Sequence, residues 1–317
     1  MNILVTGGSG FVGSHLVEEL SKDKNNQIIV IDNYSTGKYE FEIIKSNVDY
    51  YNGDLFTEKS GLDELMKKYK FDIVYHMAAN ADLKSNVKNP TKCLKQNTIV
   101  TSNVLESMRK YGCKKIAFAS SSAIYGDQIK FPTKEDVKIP MQTSMYGASK
   151  LACEGLLEAY SEAYDFQVFI FRFVSLMGER YTHGCVYDFI KRLKTDKNVL
   201  LIYGNGQQKK SFIYVKDCVN GMILATKLCK DKINIFNIGN DDKINVFNIA
   251  CLVSNSMKTN PYFHYTGGER GWIGDAPTIF LDNSKLKKLG WKPKLSSRQC
   301  ITRTANWLLK NPWVFKE

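Results

Sequence analysis

Tyr146 and Lys150 stand four residues apart in YGASK, within SMYGASKLACEGLLEAYSEAY, a stretch patterned as a helix. Both side chains then project from one face, about one turn apart. That pairing can do acid–base chemistry. A free phenol has a pKa near ~10 and is a poor base at neutral pH. A nearby ammonium favours the phenolate, and a second close cation would add to the effect. Lowering the phenol to about pH 7 takes about three units, or about 4 kcal/mol, which two cations in a dry site can supply. A Tyr-x-x-x-Lys pair also occurs in ordinary surface packing, so the elements around it decide.

The second constellation is TGGSGFVG, between an apolar strand (NILVT, 2–6) and a helical pattern beginning at Phe11. Gly7, Gly10 and Gly13 permit a tight turn, close approach of backbone to a pyrophosphate, and packing of helix on strand. The helix start, at Phe11 and Val12, offers N–H groups and a positive dipole to phosphates. Asp32 closes the next strand, QIIVID, where a carboxylate accepts ribose hydroxyls and repels a 2′-phosphate; Asn33 follows it. The chain therefore reads as binding NAD in preference to NADP. The oxidised nicotinamide is then the second cation that Tyr146 needs, and Lys150 can hold the nicotinamide ribose.

Stepping from site to scaffold, further strand candidates are VDYYNG (48–53), DIVYHM (72–77), KIAFASS (115–121) and QVFIFRF (167–173). Helical patterns at 11–22, 60–69, 91–112 and 144–164 alternate with them. Apolar, β-branched strands alternating with helices predict an α/β fold, a doubly wound parallel sheet of the Rossmann type. Residues 1–173 form the expected NAD-binding domain. The run SFIYVKDCVNGMILATK suggests that 211–240 returns to it. Residues 174–210 and 241–317 read as a smaller mixed α/β substrate lobe.

Composition removes several other classes. The 317 residues are 44% hydrophobic, enough for a sizeable core and too much for a disordered chain. No apolar run approaches the roughly 18–20 residues of a membrane span, and MNILVTGGSGFVG reads as fold rather than signal peptide. Eight cysteines lie singly, with no CxxC, and the four histidines do not join them at ligand spacing. Reduced thiols in a cytoplasmic protein and no metal site are the expectation. The net charge of +12 comes mostly from dispersed lysines with acids interleaved, which suits a solvated surface and no nucleic-acid partner.

The GxxGxxG spacing resembles that of the extended short-chain dehydrogenase/reductase family, in its sugar-nucleotide-modifying branch. More of the chain carries the likeness. Asp54-Leu55 resembles the pair that reads adenine, His76-Met77-Ala78-Ala79 resembles the HxAA turn along the cofactor, and Asn97 matches the branch's structural asparagine. The resemblance implies that Ser121, four residues before Tyr125 in SSSAIYG, hydrogen-bonds the reacting hydroxyl, with Ser122 sharing that work. Catalysis then falls to Ser121, Tyr146 and Lys150. The 4,6-dehydratases of the branch carry Thr-Asp-Glu where this chain has Ser121-Ser122-Ala123, so dehydration lacks its acid pair.

The likeness to nucleotide-sugar 4-epimerases spans nearly the whole chain and weakens after residue 173. Ser175 stands where the family's FRxxNxxGPR has a substrate-touching asparagine. Lys210 takes the place of a diphosphate-binding arginine, keeping its charge without the bidentate fork. The family's Arg-x-Gly-Asp reads Trp272-Ile273-Gly274-Asp275, with Arg270 displaced by two. Ile279 falls at the position that gates room beside carbon 2 of the sugar. His183 reads as a packing or binding residue rather than an acid. The resemblance also implies a homodimer through a four-helix interface built from Asn97–Met108 and Ser149–Tyr160.

The leading functional expectation is an NAD-dependent 4-epimerase of a nucleotide-diphospho-sugar, which oxidises carbon 4 and re-reduces the 4-keto intermediate. The alternative is a net dehydrogenase at carbon 4 that releases a 4-keto nucleotide hexose or heptose. A non-catalytic cofactor sensor or RNA-associated protein on the same fold would carry a damaged Ser–Tyr–Lys set or a contiguous basic stripe, and neither is present in the sequence.

Overall fold

A computed structural model describes residues 1–57, 59–81, 89–138 and 141–315. Two compact units make up the chain. The first comprises Met1–Ile124, Met145–Arg172 and Gly221–Phe236; the second comprises Tyr125–Ser144, Phe173–Asn220 and Asn237–Glu317.

The first unit is organised by strands β1 (Asn2–Thr6), β2 (Gln27–Asp32), β3 (Val48–Asn52), β4 (Ile73–His76), β5 (Lys115–Ser121), β6 (Gln167–Phe173) and β11 (Ile233–Ile238). They form one seven-stranded sheet in the order β11-β6-β5-β4-β1-β2-β3. The pairings from β3 through β5 are parallel, with Leu4 beside Ile29 and Val74, and Tyr75 beside Ala117. This is the doubly wound parallel sheet of the Rossmann type. The strand order reverses beside β1, and the carboxyl ends of β1, β2, β4 and β5 carry the residues singled out above.

The strands are legible because they are buried on both faces. Ile3, Leu4, Val5, Ile28, Ile29 and Val30 are all fully buried, so their apolar runs are continuous rather than alternating. Helices Phe11–Leu20, Lys59–Tyr69, Val100–Tyr111 and Met145–Tyr164 connect them. Val104, Leu105, Met108, Cys153 and Leu157 close a shared core over Val74, Ile116, Phe118 and Phe166. Gly112, left-handed at φ 80°, ends the third of these helices, as C-terminal glycine commonly does.

One departure from the expected pattern matters for the site. The helix expected over 91–112 is a turn at Pro90–Cys93, a π-helical segment at Leu94–Ile99, and then the regular helix Val100–Tyr111. The wide turn is where Asn97 faces inward, and such segments recur at functional positions.

The second unit has only small sheets: β7 (Ser175–Met177) beside β10 (Phe212–Tyr214), β8 (Val199–Ile202) beside β13 (Tyr262–Tyr265), and β9 (Lys209–Lys210) between β12 (Ile244–Asn245) and β14 (Thr278–Ile279). Its core packs helices Cys185–Thr195, Val246–Ser256 and Ser297–Lys310 through residues such as Ile190, Leu193, Ile249, Val253, Ile301 and Leu308. Ser296 and Gln299 form a reciprocal capping box on the last helix. Trp291 is core, donating to the Asp217 carbonyl at 2.8 Å, while Trp307 and Trp313 pack edge to face. All eight cysteines are free thiols. No described helix is long and apolar enough to cross a membrane.

Candidate active site

The turn after β1 is built by close contacts that a side chain would block. Gly7 has φ 70°, and a Cβ there would stand 2.6 Å from the Ala78 backbone nitrogen. A Cβ on Gly13 would stand 2.1 Å from the Gly7 carbonyl oxygen. The first turn is therefore pressed against Met77–Ala78 after β4 and against its own helix. Gly10 occupies the N-cap of Phe11–Leu20 in an extended conformation, with no side chain capping it. Phe11 and Val12 thus open a helix whose N-terminal end is left to a phosphate.

Asp32 sits at the end of β2, 8% exposed. Its Oδ2 accepts from the Ser9 N–H and its Oδ1 from the Tyr34 N–H, both at 2.9 Å. Burial raises its pKa, and these backbone donors offset part of the rise. Each oxygen retains a lone pair for a ribose hydroxyl. Asn33 donates from Nδ2 to Asp54 Oδ2 at 2.8 Å, and Asp54 Oδ1 takes the Phe56 N–H at 2.7 Å. Burial opposes the Asp54 charge, but these donors outweigh it and hold the carboxyl below its ordinary value. Leu55 is buried, its carbonyl fixed by Asn103 Nδ2 at 2.9 Å.

Asn97 ties this half of the site to the tyrosine helix. Its Oδ1 accepts from the Asn80 N–H at 2.8 Å, and its Nδ2 donates to the Asn80 carbonyl at 3.2 Å and to Ser149 Oγ at 2.9 Å. Ser149 in turn donates to the Tyr146 carbonyl at 2.8 Å. Ser149 was not picked out from the sequence, although it lies inside YGASK. Its signal is its place on the helix between Tyr146 and Lys150, one residue from the latter.

Ser121 ends β5 beside the Tyr146 phenol, and its side chain acts to lower the phenol's pKa. Burial is the larger influence and pushes Tyr146 up to about 12. The Lys150 ammonium donates to the Ala119 carbonyl at 2.7 Å and lies 4.6 Å from the Phe118 ring centroid. Burial brings Lys150 down to about 8. The expectation that the lysine depresses the phenol is thus not met by the protein alone. Its ammonium is engaged by a strand carbonyl, and desolvation of the phenol dominates. Ser122 opens the 3-10 turn Ser122–Tyr125 directly after Ser121.

His76 is a core residue. Its Nδ1 lies 2.6 Å from Thr6 Oγ1 and its Nε2 3.1 Å from Thr101 Oγ1. Burial, with the nearby Lys150 charge, lowers its pKa to about 3.

In the second unit, Lys210 and Arg270 converge on Asp275. Lys210 Nζ pairs with Asp275 Oδ1 and lies 4.8 Å from the Trp272 ring centroid. Arg270 donates to the Asp275 carbonyl at 2.7 Å and makes a two-point pair with Asp127, at 2.7 and 3.1 Å. The displaced arginine therefore reaches the Gly-Asp turn despite its shift in sequence. Asp127 and Asp275 are the partners that motif reading did not assign. Ser175 is on β7, opposite Phe212 of β10. Ile279 pairs with Lys210 across β14 and β9. His183 is exposed on its loop, its ring stacked 6.1 Å from Tyr181.

An uncapped helix start, glycines crowded by backbone, and an acid with spare lone pairs at the end of β2 suit a dinucleotide. The same unit sets a tyrosine beside the serine that ends β5. The fold and the site define a dinucleotide-dependent enzyme. Residues 3–239 match the model of the NAD dependent epimerase/dehydratase family. A putative UDP-glucose 4-epimerase of Methanocaldococcus jannaschii is 32% identical over 98% of this chain and 99% of its own. The solved UDP-glucose 4-epimerase of Thermotoga maritima, with UDP-glucose, is 32% identical, with a TM-score of 0.88 over 98% of this chain and all of its own. That of Thermus thermophilus, solved with NAD, is 30% identical, with a TM-score of 0.86 over 98% and 99%. The chain belongs to the NAD-dependent epimerase/dehydratase family, and its cofactor is NAD.

Proposed function

We propose that the protein is a 4-epimerase of a nucleotide-diphospho-sugar. The observation that carries this reading is Ser121, at the end of β5, set beside the Tyr146 phenol in a unit whose glycine turn is built by close backbone contacts. NAD, when bound, supplies the hydride acceptor and donor for carbon 4. Tyr146 takes the proton from the carbon-4 hydroxyl and returns it to the opposite alcohol. Ser121, with Ser122, holds that hydroxyl, and Lys150 holds the nicotinamide ribose. Ser175, Lys210 and Arg270 supply contacts to the nucleotide sugar. The related enzymes named above act on UDP-glucose, which makes UDP the first nucleotide to test.

The test is a panel of UDP-, GDP-, CDP- and dTDP-sugars, read by absorbance of the bound reduced cofactor and by product stereochemistry. An inverted carbon 4 with no net cofactor reduction is the expected result. Stoichiometric free NADH with a released 4-keto sugar would replace this reading with the net dehydrogenase.

The sugar pocket is proposed to admit something bulkier than plain glucose or galactose. Isoleucine at 279 is shorter than a tyrosine and sits beside Lys210 on the adjoining strand. Ile279→Tyr should lower kcat/KM for an N-acetylated UDP-sugar about 10-fold or more relative to UDP-glucose. An unchanged ratio removes Ile279 as the gate.

A homodimer through the helices of Asn97–Met108 and Ser149–Tyr160 is proposed as well. Leu94, Ile99 and Met145, on or at the start of these helices, are 52%, 37% and 54% exposed, more than apolar side chains on a buried face would be. Sedimentation at micromolar concentration should show two chains; a monomer would count against the interface.

A further inference from the structure

The helix Met145–Tyr164 carries Tyr146, Lys150 and Glu154 at successive intervals of four, one stripe along one face. Each meets the last three residues of β5. Tyr146 lies beside the Ser121 side chain, Lys150 donates to the Ala119 carbonyl, and Glu154 Oε1 accepts from the Ser120 hydroxyl. The third rung has no part in the chemistry described above, yet it too is enclosed. Ser120, Glu154 and Arg172 are 2%, 2% and 3% exposed. Arg172, on β6, donates from Nε to both Glu154 oxygens at 3.2 and 3.3 Å and from its terminal nitrogen to Oε2 at 2.8 Å.

We propose that Glu154 is a positioning residue for the reaction: clamped by Arg172, it anchors the Ser120 hydroxyl and so fixes the end of β5 that presents Ser121 to Tyr146. The inference rests on the Ser121–Tyr146–Lys150 reading proposed above.

Two physical arguments carry it. A buried ion pair is a poor source of stability, because desolvating both ions offsets most of their attraction, and an apolar pair of equal volume does as well. What the pair does supply is direction. The planar guanidinium holds the carboxylate in one plane. That leaves Oε1 directed at Ser120, whose backbone neighbour is the catalytic serine. The strand end needs such an anchor because it is where regular pairing stops. Ser121 is followed at once by a 3-10 turn, with its Oγ accepting the Ala123 N–H at 3.1 Å. The negative charge of Glu154 also favours the ammonium of Lys150 one turn away.

Ser120→Ala is the clean test, because it cuts the link to the strand while leaving Glu154 and Arg172 paired. The probe reaction is interconversion of UDP-glucose and UDP-galactose. The expected result is a kcat about 10-fold lower, since displacements of an ångström at a reacting centre have effects of this order or larger. KM and NAD affinity should stay within about threefold. Hydrogen exchange at the amides of Ser121–Ala123 should quicken with the strand end released. Ser120→Thr keeps the hydroxyl and should recover most of the loss. Glu154→Gln should act in the same direction and also move the basic limb of the pH profile. A folded Ser120→Ala enzyme with unchanged kcat and unchanged exchange overturns the positioning role while an inactive Tyr146→Phe control preserves the site. An active Tyr146→Phe enzyme overturns the site, and this inference with it.

Discussion

Replacing Tyr146 with phenylalanine is expected to lower turnover by about 10²–10⁴-fold, the scale of a lost general acid–base group, with the protein still folded and still binding NAD. The phenol explains both the size of the effect and its pH dependence. Burial sets Tyr146 at about 12 in the protein itself. Service as a base near pH 7 then requires a drop of about five units, or about 7 kcal/mol. Among the chain's own groups, the Ser121 side chain lowers the phenol and is already counted in that value, while the Lys150 ammonium is held to Ala119, so the drop falls to the positive nicotinamide of bound NAD. At any pH below the phenol's working pKa, the wild-type rate in the proton-abstracting direction should rise with pH as the phenolate fraction grows. The phenylalanine variant should lose that limb of the profile. Near-normal turnover in a folded variant, confirmed by circular dichroism and NAD titration, would remove Tyr146 from the mechanism.

What made the first unit readable was burial on both faces. A strand such as QIIVID has no polar residue between Gln27 and Asp32, the acid closes it as the glycine turn closes β1, and so element and site share the same few residues. β1, β2, β5 and β6 run over the residues that the apolar runs marked. YGASK is local in the same sense, because helical spacing alone puts Tyr146 and Lys150 together. The second unit offers no such signal. Strands of two residues, like Lys209–Lys210 and Thr278–Ile279, are too short to show a period and are set by their neighbours. Arg270 shows the limit of motif spacing. Shifted by two positions, it still reaches the Asp275 carbonyl because Gly271–Asp275 folds back, with the Gly271 N–H on Asp275 Oδ2 at 3.0 Å. The π-helical turn around Asn97 was hidden for a similar reason. It accompanies a tertiary contact with Asn80, seventeen residues away in sequence.

Acid should weaken the first unit through His76, a residue that the sequence aligned with a cofactor-lining turn. The imidazole is fully buried on β4 between Thr6 and Thr101, 5.7 Å from the Phe118 ring centroid. Its pKa of about 3 lies well below the unfolded value of ~6.5. Between those values the unfolded chain binds a proton that the folded chain refuses. The stability that neutral His76 contributes is therefore fully present above about pH 6.5 and is lost as pH falls toward 3. The loss amounts to about 2 kcal/mol between pH 7.5 and pH 5 and about 4 kcal/mol by pH 3. His76→Asn removes the titration while sparing a polar contact to the threonines. The variant will be less stable at neutral pH, but its deficit against wild type should shrink by about 2 kcal/mol on going to pH 5. Urea unfolding at the two pH values, followed by hydrogen exchange across Ile73–His76, reads this difference directly. A deficit that does not change with pH would show that His76 accepts its proton in the folded state, and would place it in contact with solvent or an acid rather than in the core.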